Sequence, residues 1–172
     1  LNADVYEPLL ARLKDLKPWT LGELETSLSE ESVSLDAITE AALILTNLGA
    51  AAPACDESAT LAAQSKCDRL NTVLFNQARS GGDIKCLASP VIGGGVNLDR
   101  IAQLLVACSK EQPGQPADWA SATWEILSTQ GQALVVEGEP LQTEEENLAE
   151  LTKRAESIKD QLLPLLAALR IV

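Results

Sequence analysis

Ser89-Pro90-Val91-Ile92-Gly93-Gly94-Gly95-Val96-Asn97 is where residue type and spacing in this 172-residue chain come nearest to a ligand loop. Glycines ahead of a helix can leave N–H groups and the positive end of the helix dipole free for an anion. The stretch matches neither G-x-G-x-x-G nor the G-K-[ST] of a P-loop, and no strong strand precedes it. The favoured reading is therefore conformational: a tight turn in which glycine allows positive φ and close backbone approach. Arg79, Lys85 and Arg100 flank the turn. They form either a small basic spot or ordinary surface pairs with Asp83 and Asp99.

Other chemistries lack their residues. The chain has no His, which removes Ser-His and Cys-His nucleophilic catalysis and every His-based metal site. Cys55, Cys67, Cys86 and Cys108 form no C-x-x-C pair and read as reduced, mostly semi-buried thiols of a cytosolic protein. Glu144, Glu145 and Glu146 suit the start of a helix better than a metal site. Lys and Arg number 13 against 25 Asp and Glu, a net charge of −12. Binding to a phosphate backbone rests on the opposite sign, so a nucleic-acid partner is not expected. No stretch approaches the ~20 apolar residues of a membrane span, so no membrane partner is expected either. The start at Leu1 shows no basic, apolar leader and no initiator Met. A fragment of a longer chain, in the cytoplasm, is the expectation.

The elements that must position these residues read as helices, because Leu and Ala dominate. Tyr6, Leu9, Leu13 and Leu16 recur at helical spacing before Pro18. Thr20 with Glu23 is a capping box opening a short helix to Leu28. Ser34 caps a third helix with the stripe Leu35, Ile38, Ala42, Leu45 and Leu48, ended by Gly49. The residues AAAPA at 50–54 then suit a short strand or wing. This order is that of a winged-helix unit, with a plain three-helix bundle as the alternative. The candidate recognition helix holds Asp36 and Glu40 and no Lys or Arg, the reverse of a DNA-reading surface.

Residues 57–79 read as one helix with Ala63, Cys67, Leu70, Leu74 and Ala78 inward. Asn97 is expected to cap the next helix, with Leu98, Ile101, Leu105 and Cys108 as its stripe. A further helix runs from Asp118 to about Val136, and residues 138–140 turn. Thr143 with Glu146 is a second capping box. The last helix has apolar residues at 148, 151, 155, 158, 162, 165 and 169, a seam that Pro164 should kink. A helix clasping the bundle is favoured over a coiled coil. The fold expectation is mainly α: a winged-helix-like subdomain at 1–55 packed on a helical bundle at 56–172.

NTVLFNQAR (71–79), LASPVIGGGV (87–96), WEILSTQGQ (124–132) and LQTEEENLAEL (141–151) also resemble a known family. They are similar to the C-terminal region of bacterial S-adenosylmethionine-dependent methyltransferases with a methyltransferase regulatory domain, akin to the rickettsial protein-lysine methyltransferases. The resemblance covers most of the chain. It implies a non-catalytic accessory or regulatory part of an enzyme whose cofactor, S-adenosylmethionine, is held by a catalytic domain outside this chain. The implied partners are that domain, a protein substrate, or a second copy. Asn71, Arg79, Ser89, Pro90, Gly93, Gly94, Gly95 and Arg100 are candidate interaction or motif positions. No catalytic, cofactor-binding or metal-binding residue carries over. The alternative is a stand-alone winged-helix interaction module without enzyme activity.

Overall fold

In the computed structural model, which describes residues 2–172, helix formation follows the capping signals closely. Asn2 caps α1 (Ala3–Leu13), the Thr20/Glu23 box opens α2 (Leu21–Ser27), and Ser34 caps α3 (Leu35–Asn47). Each cap satisfies N–H groups that a helix start leaves free. Leu16 has φ +58, so the first stripe ends one turn short of the expected Pro18 stop.

The chain divides into two compact units, Leu1–Cys55 and Asp56–Val172. In the first, Leu9, Leu24, Leu28, Ile38, Ala41 and Leu45 form the core, with Val5, Tyr6 and Trp19 packed against it. Ala41 takes the inward place expected of Ala42, and Leu35 and Leu48 are exposed. The expected wing is absent: no strand forms at 50–55. Gly49 (φ +71) turns the chain so that the Ala50 and Ala51 N–H groups both donate to the Leu45 carbonyl. Those donors close the end of α3, and Pro53 has none to give a ladder. The unit is a three-helix one.

The second unit begins with α4 (Glu57–Ala78), capped by Asp56. It continues with β1 (Cys86–Ser89), β2 (Gly94–Asn97), α5 (Arg100–Glu111) and α6 (Pro116–Thr129). A small hairpin of β3 (Val135–Val136) and β4 (Glu139–Pro140) leads to α7 (Glu144–Ser157). A π turn, Ile158–Leu162, and α8 (Leu163–Ala168) complete it. The chain is therefore mainly α. Among the described residues, no helix is long and apolar enough to cross a membrane.

Three sequence expectations change here. The glycine stretch belongs to an antiparallel hairpin, with Leu87 opposite Val96 and Ser89 opposite Gly94. Asn97 consequently ends a strand, and Asp99 caps α5 by accepting from Ala102 N–H. On α4 the inward face is Thr60, Asn71, Leu74, Phe75 and Ala78, while Leu70 is 49% exposed. The third change is at Pro164. Leu163 N–H donates to the Ile158 carbonyl, five residues back, inserting one residue into the helix ahead of the proline. The insertion turns the seam by one position: Leu166 is buried where spacing expects Leu165, which is 37% exposed.

Candidate functional site

The polar residues of the resembling segments converge on backbone. Asn71 is 2% exposed and acts as a neighbouring strand for β1. Its Nδ2 donates to the Ala88 carbonyl at 2.8 Å, and its Oδ1 accepts from Ala88 N–H at 2.7 Å. Ser89, one residue on, donates its hydroxyl to the Leu169 carbonyl at 2.8 Å. The same oxygen accepts from the Val91 and Ile92 N–H groups. Two side chains thus hold one hairpin strand between α4 and the end of α8.

Arg100 holds the other side. Its Nε donates to the Ala78 carbonyl at 2.7 Å, and its Nη2 donates to the Arg79 carbonyl and to Gln130 Oε1. Its Nη1 donates to Gln132 Oε1. The planar fork of a guanidinium suits this role, since α4 ends there with carbonyls lacking helical partners. Arg79 itself pairs with Glu111 on the surface. It edges an open groove of about 370 Å³ between α5 and α6, lined also by Gln112, Glu125 and Thr129.

Pro90 is buried beneath the hairpin turn, whereas Gly93, Gly94 and Gly95 are exposed at its tip. Positive φ falls on Gly93 (+60), not on Gly94. A Cβ on Gly94 would meet only the Ile92 carbonyl oxygen, at 3.8 Å. The positive φ expected of this turn therefore falls on the first of the three glycines. Gly94 and Gly95 lie in β2, which separates them from α5, and the Asp99 carboxylate already occupies the N-terminus of α5. This is no cradle for an anion.

Sequence reasoning missed two residues that work as Asn71 does. Gln103 (1% exposed) donates to the Ile84 and Leu98 carbonyls, fixing the strand entry and exit. Asn147 (1% exposed) accepts from Leu134 N–H and donates to the Thr143 carbonyl. Nothing marks an amide as buried in one sequence; only the adjacent apolar runs hint at it. The cysteines also differ from expectation. Cys55 and Cys86 are exposed, Cys67 is half-buried and Cys108 is buried. Burial pushes the Cys108 thiol up, against a weak hydrogen bond from Thr123. No group of three or more Cys, Asp or Glu able to hold a metal ion occurs among the described residues.

The fold and site define a class: a mainly helical region whose motif side chains grip backbone of their own unit. The chain is 32% identical over 171 residues to the uncharacterized protein sll1526 of Synechocystis sp.. The match takes in 99% of this chain and 33% of that protein, so the chain spans about a third of the relative's length. No protein-family model matches the chain, and no solved structure does.

Proposed function

We propose that this chain is a non-catalytic accessory region of a bacterial, cytoplasmic S-adenosylmethionine-dependent methyltransferase. It contributes binding surface: for a substrate protein, for a second subunit, or for restraint of the catalytic domain. The observation that carries this reading is where the motif side chains point. Asn71, Ser89 and Arg100 are committed to backbone groups of their own unit, so the segments that resemble the methyltransferase family build a scaffold. The relative's length adds support, since two-thirds of it lies outside the match and leaves room for another domain.

Calorimetric titration of S-adenosylmethionine into this chain and into its full-length parent tests the reading. Binding by the parent alone is the expected result. Binding by the isolated chain, or an open reading frame without a methyltransferase domain, overturns it.

A further inference from the structure

The N-terminal unit carries a groove of about 290 Å³ between α1 and α3. Val5 and Tyr6 line one wall; Ala37, Ala41 and Ile44 line the other, with Glu40 at the rim. Spacings of four, three and four place Ala37, Ala41, Ile44 and Leu48 in one row along α3. Leu48 ends that row 65% exposed. The row spans about three helical turns, roughly 16 Å at 1.5 Å per residue. That is the size of the face an amphipathic helix lays into a groove between two helices.

Charge says what fits. Residues 18–65 contain no Lys or Arg. The unit has three basic residues against nine acidic ones, a net −6. Arg12 is already paired with Glu31. A second copy would bring −6 against −6, and residues 56–172, with ten basic against sixteen acidic, also carry −6. The complement is a basic segment with an apolar stripe.

We infer that the α1–α3 groove docks a basic amphipathic helix of a partner protein, with Ile44 and Leu48 as its apolar anchors. This needs only the N-terminal unit and stands apart from the methyltransferase reading, which the cofactor titration decides separately. The test uses the full 172-residue chain and a fluorescein-labelled helical peptide with Leu on one stripe and Lys elsewhere, read by anisotropy. Saturable binding is expected, weakened about tenfold by Leu48→Gln. Glu40→Gln should weaken it too, and added salt should do the same. Leu43→Gln, at a residue 68% exposed and about a third of a turn away from the row, should leave it unchanged. Equal weakening by Leu43→Gln, or none by Leu48→Gln, makes the binding non-specific and overturns the proposal. So does the absence of saturation. A chain that sediments as a dimer, and as a monomer with Leu48→Gln, gives the groove to a second copy and overturns it as well.

Discussion

At the scale of single residues, the recurring device is a buried amide that pairs with backbone. Asn71 answers both polar groups of Ala88, and neither has another partner on that side of the strand. Asn71→Ala leaves two half-buried backbone groups without bonds, at about 1–2 kcal/mol each, the lower part of the range for lost partners. Urea unfolding should show a loss of about 2–4 kcal/mol. Asn71→Asp should do no better, because a carboxylate cannot donate to the Ala88 carbonyl. The capping carboxylates give a pH signature. Glu146 accepts from the Thr143 and Gln142 N–H groups, and Glu23 from the Thr20 N–H and hydroxyl. These bonds hold both carboxyls below the usual range. Their stabilisation is complete above the ordinary carboxylate value and is lost as pH falls through the lowered folded values. Gln can serve the same box without titrating. Glu146→Gln should therefore keep the neutral-pH melting temperature nearly unchanged and flatten its fall in acid. Thiol titration should separate fast Cys55 and Cys86 from Cys108, which reacts only on unfolding.

Elements show where one-dimensional reading succeeds and where it stops. Both Thr-x-x-Glu boxes, the Ser34 cap and the Gly49 stop were legible, because capping is local chemistry. The β1–β2 hairpin was not. Its strands are four residues long, and CLAS and GGVN lack an alternating pattern; Asn71, far away in sequence, completes the pairing. The helix expected to reach Val136 ends at Thr129, since Gly131 (φ +65) turns the chain toward β3. The Leu165 expectation failed because spacing cannot count a residue absorbed by a π turn. At the candidate positions Asn71, Ser89 and Arg100 the sequence carried no role; the structure shows which backbone groups each side chain grips. The β3–β4 turn offers a check of backbone reasoning. Glu137 (φ +52) and Gly138 (φ +89) form the left-handed pair that two-residue hairpins favour. Glu137→Asn should stabilise by about 0.5–1 kcal/mol, and Gly138→Ala should cost about 1 kcal/mol, measured by thermal melts.

For the whole molecule, the two units differ in how much core they own. Among the described residues, six buried apolar side chains form the core of the first unit, against nineteen in the cluster of Asp56–Val172. A 55-residue unit buries a smaller share of its surface and sits nearer the margin of stability. Hydrogen exchange should show α1–α3 amides opening at lower free energy than those of α5 and α7. Cleavage should fall first at the exposed residues 52–55, which bear no secondary structure, and the piece from 56 onward should keep its helical circular dichroism. The basic-free stretch shapes how such work can be done. With no Lys or Arg from 18 to 65, and Pro18 shielding the Lys17 bond, trypsin yields α2, α3 and the connector as one undivided peptide, 15–66. Amine-directed crosslinkers are equally blind there, and no lysine of this surface is open to acetylation or ubiquitin. Elastase for cutting, and carbodiimide coupling through Glu40 or Asp36 for trapping, are the reagents that this part of the molecule answers to.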